Sequence, residues 1–241
     1  MSNSKKHILV TGSNGFMGKH VCNYLIKKGF NIVGFDKSLN SSQDITIVQD
    51  VNKYVNKNTI GIIHLAAISR VKTGEELPWN CIRINIMGTT NILESAKRLI
   101  KKPWVILSST IEEPTNIYGL SKYCCNKIAQ YYSGKYGLNV FVLELPTVHG
   151  IGDNQEKFIP KVMKLASENQ NIEIQNPDNM LEFIEISDLL TEIYIIIKEL
   201  LKDSNYGYEK KYIKGAKTTY LAMAKTIVNI KESKSKIIIM R

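Results

Sequence analysis

Short apolar runs alternate along this chain with longer stretches whose apolar positions recur at helical spacing. His7–Thr11 reads as a buried strand and Phe16–Lys28 as a helix closed by Gly29. Asn31–Phe35, Ile45–Gln49 and Ile60–Leu65 read as three further strands. A long helix is expected from about Leu77 to Lys102, with Pro78 in its first turn and Pro103 just past its end. Trp104–Ser109 is the next strand, Tyr118–Tyr136 the next helix, and Asn139–Leu145 a strand broken by Pro146. Beyond Gly152 the pattern loosens. Lys157–Glu168, Ser187–Lys202 (opened by Ser187 or Asp188) and Tyr220–Ile230 read as helices, with short strands at Leu181–Ile186 and Lys210–Lys214. Strands alternating with crossover helices predict an α/β fold around a doubly wound parallel sheet.

Composition narrows this little. At 241 residues and 44% hydrophobic the chain can bury a core without disulfide or metal staples. Lys+Arg 32 less Asp+Glu 22 leaves +10, which favours anionic partners. The lysines are scattered, so no nucleic-acid partner is expected. The apolar run Ile193–Ile197 is bracketed by Glu192 and Lys198, so no membrane partner is expected either. Cys22, Cys81, Cys124 and Cys125 lack metal-ligand spacing and read as free thiols of a reducing cytoplasm. No metal is expected.

The first candidate chemistry lies between the first strand and the first helix. Thr11-Gly12-Ser13-Asn14-Gly15-Phe16-Met17-Gly18 has the spacing G-x-x-G-x-x-G, which permits a tight turn and a close backbone approach to a pyrophosphate. The helix behind it offers unpaired N–H groups and a positive dipole end. Asp36 ends the second strand, 24 positions after Gly12, where a carboxylate can accept the hydroxyls of an adenosine ribose and repel a 2′-phosphate. NAD is therefore expected over NADP, although Lys37 and Ser38 could offset the repulsion. Asp50 could accept from the adenine amino group; the alternative is a helix cap.

A second constellation is Thr110, Tyr118 and Lys122. Tyr118 and Lys122 are four apart and share one helix face. A phenol near pKa 10 is a poor base, and an adjacent ammonium together with a cationic nicotinamide would lower it. Thr110, at a strand end, can hold a carbonyl or hydroxyl oxygen. The plain alternative is a solvated helix face.

Taken together these residues resemble the extended short-chain dehydrogenase/reductase superfamily, in particular the NAD-dependent epimerase/dehydratase family acting on nucleotide-activated sugars. The resemblance is carried by T-G-S-N-G-F-M-G, Asp36, His64-Leu65-Ala66-Ala67, Asn85-Ile86-Met87-Gly88-Thr89, Ser108-Ser109-Thr110 and Tyr118-Gly119-Leu120-Ser121-Lys122. It implies a Rossmann-like sheet with a small C-terminal substrate-binding region. Residues 1–150 would form the NAD(P)-binding domain, and 151–241 a small, truncated substrate region partly returning to the Rossmann core. Gly12, Asn14, Gly15, Phe16, Met17 and Gly18 would then surround the pyrophosphate, and Asp36 and Lys37 the adenosine ribose. Asp50 and Val51 would meet the adenine, and Leu65, Ala66 and Ala67 the middle of the cofactor. Asn85 and Ser108 would support the site, and Leu145, Pro146 and Val148 would line the nicotinamide. Tyr118 would be the acid/base, Lys122 the ribose-binding and tuning residue, and Thr110, Thr147 and Arg70 would face substrate. Arg83 is a weaker phosphate candidate, and a surface ion pair is the preferred reading for it. A homodimer through the helices Leu77–Lys102 and Tyr118–Tyr136 is also implied.

The departures cluster on the substrate side. Seven residues separate Thr110 from Tyr118, where the family carries a longer loop. Leu143-Glu144 replaces an L-R pair, Leu181-Glu182-Phe183 replaces R-D-F, and His149-Gly150-Ile151-Gly152 replaces Y-G-P-G. The sequence also ends sooner than a typical relative. Ile111 stands where a dehydratase needs a proton-donating carboxyl, followed by Glu112 and Glu113. The expected activity is an NAD(P)-dependent epimerase or ketoreductase. A 4,6-dehydratase, or a dinucleotide-sensing or RNA-binding relative without turnover, is the alternative.

Overall fold

The computed structural model describes residues 5–202 and 206–240. They divide into two compact units. The first holds the residues up to Leu145 with Leu190–Ile213; the second holds Pro146–Leu189 with the residues from Lys214 on.

The first unit is a six-stranded sheet of β1 (His7–Thr11), β2 (Ile32–Phe35), β3 (Thr59–His64), β4 (Trp104–Thr110), β5 (Val140–Leu145) and β9 (Tyr208–Tyr212). Their order is β2-β1-β3-β4-β5-β9 and every pairing is parallel. The strands are apolar runs because a parallel sheet is covered on both faces. Ile8, Leu9, Val10, Ile62, Ile63, Ile106 and Val142 are almost wholly buried. Gly61 lets β4 close on β3, since a Cβ there would sit 2.1 Å from the Trp104 ring. The sequence order reverses at β1, and the crevice at the carboxyl ends of β1 and β3 is where such sheets bind ligands.

Helices α1 (Phe16–Lys27), α2 (Val48–Tyr54), α3 (Val71–Glu76), α4 (Pro78–Ile82), α5 (Gly88–Lys97) and α6 (Ile117–Tyr136) also belong to this unit. Two expectations fail. Ile45–Gln49 is not a strand: Asp44 Oδ1 accepts from the Thr46 N–H and hydroxyl, turning the chain into α2. Ile45 is apolar because it packs on α5, in contact with the place a Gly88 Cβ would occupy. The long helix over Leu77–Lys102 is also interrupted. Leu77 leaves helical geometry before Pro78, as the residue preceding a proline tends to. Arg83–Met87 then forms a π-helical turn, and α5 ends at Lys97.

The second unit contains β6 (Thr147–His149), α7 (Phe158–Ser167), β7 (Ile172–Ile174), β8 (Met180–Glu185), β10 (Ala216–Thr219), α9 (Tyr220–Ile230) and β11 (Ile237–Ile239). β8 pairs β6 in parallel and β10 antiparallel, while β7 and β11 form a separate parallel pair. Its own apolar core joins Ile159, Val162, Ile172, Leu181, Met223 and Ile227. Helix α8 (Ile186–Lys202) crosses the division between Leu189 and Leu190. Strands β6, β7, β10 and β11 have only three or four residues each, too few for periodicity to reveal. Among the described residues no helix is long and apolar enough to cross a membrane.

Candidate active site

The glycine loop closes tightly. Gly12 takes φ +68°, and a Cβ on it would sit 2.8 Å from the Ala66 nitrogen, so the β1 turn lies against the chain leaving β3. A Cβ on Gly18 would sit 2.0 Å from the Gly12 carbonyl oxygen, so α1 packs directly on the loop. Gly15 is the N-cap of α1 and no side chain caps that terminus. Phe16 and Met17 open the helix with Gly18, their N–H groups in its uncapped first turn. This turn suits a pyrophosphate, whose oxygens can approach where side chains are missing.

At the end of β2, Asp36 is held by three donors. Its Oδ2 accepts from the Asn14 N–H (2.9 Å), and its Oδ1 from the Ser38 N–H (2.9 Å) and hydroxyl (2.7 Å). A carboxylate has about four acceptor positions, so Oδ2 keeps one for a ribose hydroxyl. Asn14 Nδ2 donates to Ser38 Oγ, and Lys37 Nζ to Asp44 Oδ2 at 2.5 Å. Asp50 and Val51 stand in the first turn of α2, both buried. Asp50 accepts from the Asp44 N–H and Lys53 Nζ, and the Val51 side chain is part of the apolar core.

Leu65, Ala66 and Ala67 follow β3, half-buried. Thr11 Oγ1 accepts from the N–H groups of Leu65 and Ala66, 3.2 Å each, so its own proton is directed to His64 Nδ1 at 2.7 Å. His64 then donates from Nε2 to Thr89 (3.2 Å), Thr89 to Cys125 Sγ (3.3 Å), and the Cys125 thiol to the Asn85 carbonyl (3.2 Å). Burial, reinforced by the Lys122 charge, pushes His64 down to about 3, so it is a neutral link in this chain. Asn85, in the π turn, holds Ile68 at both backbone groups (2.8 and 3.0 Å) and donates to Ser121 Oγ at 2.8 Å. π turns tend to occur where a side chain must be re-aimed at a site.

The reacting constellation lies on β4 and α6. Asn116 caps α6 by accepting from the Gly119 N–H, and Glu75 accepts from the Ile117 N–H. Tyr118 is buried, and Thr110 Oγ1 accepts from the Glu112 N–H. Burial raises the Tyr118 phenol to about 12, and the nearby Thr110 hydroxyl works against that. Lys122 is buried one turn on and donates to the Ser108 carbonyl at 2.9 Å; burial lowers its pKa. Ser108 Oγ in turn donates to the His64 carbonyl. The seven-residue connection runs tight against α6, for a Cβ on Gly119 would meet the Glu113 carbonyl at 2.2 Å.

The sequence-predicted residues therefore divide by unit. The loop, Asp36, Lys37, Leu65–Ala67, Asn85, Ser108, Thr110, Tyr118, Lys122 and Leu145 share the first, with Leu145 beside Thr110 in the sheet register. Arg70 precedes α3 in the same unit, half-buried. Pro146, Thr147 and Val148 belong to the second, where Thr147 is exposed and Val148 buried on β6. Unforeseen supports are Gly74, where a Cβ would press on Tyr118 at 3.3 Å, and Glu75 and Asn116. Thr11 and Thr89 lie in the motifs that carry the resemblance, but no role was assigned to them. Asn116 had a signal of its own, a capping residue just ahead of an expected helix. Among the described residues no cluster could hold a metal ion.

A parallel sheet with a tight glycine turn at its reversal point, a carboxylate after β2 and a buried Tyr-Lys pair is the arrangement expected of a dinucleotide-dependent enzyme. Residues 8–207 match the model of the NAD-dependent epimerase/dehydratase family. The chain belongs to that family and is an NAD-dependent enzyme. It is 27% identical over 215 residues to GDP-6-deoxy-D-talose 4-dehydrogenase of Aggregatibacter actinomycetemcomitans, covering 81% of this chain and 71% of that one. It is 26% identical to UDP-glucuronate 4-epimerase of Thermodesulfobacterium geofontis, covering 88% and 76%. In fold it is similar to UDP-glucose 4-epimerase of Thermotoga maritima, with TM-score 0.86 at 20% identity, covering 97% and 85%.

Proposed function

We propose that this chain epimerises or reduces a nucleotide-activated sugar, with Tyr118 as the acid/base at the reacting oxygen. The observation that carries the reading is the buried Tyr118 with the Thr110 hydroxyl nearby and buried Lys122 one turn away. Relatives named for GDP-, UDP- and CDP-linked sugars support the substrate class. When bound, NAD supplies the two-electron step at a sugar carbon. Everything else is the protein's work.

The glycine turn and the α1 terminus would take the pyrophosphate, and Oδ2 of Asp36 a ribose hydroxyl. Thr110 would hold the sugar oxygen beside the phenol. Because burial keeps Tyr118 protonated near neutral pH, its resting form is ready to give a proton to a keto oxygen. Taking a proton from a sugar hydroxyl requires a nearby positive charge to bring the phenol down, and Lys122 is the side chain placed to help. Ile111 carries no proton to donate and is partly exposed, which weighs against dehydration. Arg70 and Thr147 are the side chains we assign to substrate, and Pro146 and Val148 to the nicotinamide wall.

We also assign a homodimer. Leu77, Trp79, Ile82, Leu120, Tyr123 and Tyr131 are large apolar residues left exposed on α4, α6 and the residue before α4, Trp79 by 70%. Four free thiols fit a cytoplasmic site. The test of function is a panel of UDP-, dTDP-, GDP- and CDP-sugars with NAD(H), products read by mass spectrometry. Turnover of one class supports the reading; NAD binding with no turnover of any overturns it. Equilibrium sedimentation fitting a single monomer at micromolar concentration would remove the dimer.

A further inference from the structure

Next to Asp36 lie three groups that would ordinarily welcome a phosphate on the adenosine ribose: Lys37, Ser38 and Asn14. All three are engaged with neighbours. Ser38 Oγ donates to Asp36 Oδ1 and accepts from Asn14 Nδ2, and the Asn14 N–H goes to Asp36 Oδ2. Lys37 follows directly on the ribose-side carboxylate, yet its ammonium is drawn to Asp44 Oδ2 at 2.5 Å. The two ends of that pair differ in exposure. The Lys37 side chain is 61% exposed and the Asp44 side chain 10%.

That asymmetry makes the pair hard to open. An exposed ammonium would lose little on leaving, because water replaces its partner. The carboxylate left behind would keep only the two donors of Thr46 for its charge. Asp44 is also fixed in place, since Oδ1 accepts from the Thr46 N–H and hydroxyl (2.9 and 2.8 Å) and its own N–H goes to Asp50 Oδ2. Burial raises Asp44, but the bonds from Lys37 and Thr46 outweigh it and bring the carboxyl to about 2. It is therefore charged throughout the physiological range, so its attraction for the Lys37 ammonium does not lapse there.

We propose that Asp44, by sequestering the Lys37 ammonium, is a specificity-determining residue that excludes NADP in favour of NAD. The inference rests on the reading of Asp36 as the ribose-side carboxylate. Asp36 repels a 2′-phosphate, and Asp44 withholds the adjacent Lys37 cation that could overcome the repulsion. A glance at the sequence suggests that Lys37 softens the preference. With its ammonium on Asp44, Lys37 takes no part in that preference.

The test measures dissociation constants of NAD and NADP by titration calorimetry. The proteins are the parent, Asp44→Asn, Lys37→Ala, and Asp44→Asn with Lys37→Ala, each also made with Asp36→Ser. Asparagine keeps the Oδ1 acceptor for Thr46, and a Tm within about 2 °C of the protein with the same residue at position 36 reports an intact fold. In the Asp36→Ser background, freeing Lys37 by Asp44→Asn should tighten NADP about 10-fold or more, the scale of one charge-assisted phosphate contact, and leave NAD within about 2-fold. Adding Lys37→Ala should abolish the gain. Lys37→Ala alone, with Asp44 intact, should change NADP affinity by less than about 2-fold. The proposal is overturned if Lys37→Ala alone weakens NADP strongly, or if the Asp44→Asn gain is equal for the two cofactors or survives loss of Lys37. If Asp44→Asn does not fold, the Lys37→Ala comparison decides alone. A parent that binds neither cofactor refutes the NAD reading itself, a separate outcome.

Discussion

Asn85 offers the sharpest test of how this site is held. It is 1% exposed and joins the chain leaving β3 to α6 through Ile68 and Ser121. Asn85→Ala removes the acceptor of the Ile68 N–H, the donor to the Ile68 carbonyl and the donor to Ser121 Oγ. Ser121 Oγ still accepts from the Cys81 thiol at 3.7 Å, so the Ile68 N–H and carbonyl are the groups left unmatched. Each costs about 1–2 kcal/mol, the low end of the range for buried polar groups, because water can reach half-buried Ile68. The sum is about 2–4 kcal/mol. For a chain of this size that is a fall in Tm on the order of 5–12 °C by calorimetry. Asn85→Asp adds a discriminating arm. It keeps the acceptor for the Ile68 N–H but turns an oxygen toward the Ile68 carbonyl. Acidification should protonate that buried carboxyl and restore a donor, so its deficit relative to the parent should shrink between pH 7 and pH 5. A Tm within about 2 °C of the parent for Asn85→Ala, or an Asn85→Asp deficit independent of pH, would refute the reasoning.

Other consequences can be measured directly. His64 has a folded-state pKa of about 3, below the ordinary histidine value. The unfolded chain therefore binds the extra proton between about pH 6.5 and pH 3, and stability falls as pH drops through that window, by at most about 1.4 kcal/mol per pH unit from this group. In His64→Gln, urea titrations should show a flatter decline from pH 6.5 to 4.5; an unchanged slope would contradict this. Gly18→Ala places a Cβ 2.0 Å from the Gly12 carbonyl, so NAD affinity should drop at least tenfold by calorimetry. Parental affinity would mean that the loop is not the phosphate turn. Tyr118→Phe should lower turnover about 100-fold or more with NAD affinity nearly unchanged, and full activity would exclude the acid/base role. With the phenol raised to about 12 in the free protein, sugar oxidation should accelerate as pH rises from 7 to 9, while ketone reduction stays flat or declines. The opposite trends in initial-rate assays would count against Tyr118.

What the linear pattern could determine was whatever local chemistry dictates. Continuous apolar runs announce strands buried on both faces, which is why β1, β3, β4 and β5 are legible within a residue or two. Glycine spacing, a carboxylate after β2 and a Tyr-Lys pair at helical separation are local too, so the family could be recognised from them. Ile45–Gln49 misled for a physical reason: an apolar residue packing on α5 and a residue in a strand look alike in one dimension. The interruption of the expected long helix at Leu77 and Arg83–Met87 was hidden as well, because the π turn at Asn85 answers partners at Ile68 and Ser121, remote in sequence. Only the folded chain decided that Lys37 turns to Asp44, that Lys122 meets the Ser108 carbonyl, and that His64 stays neutral. Those are outcomes of burial and of competition among donors and acceptors, and such competition exists only once distant residues share a dry interior.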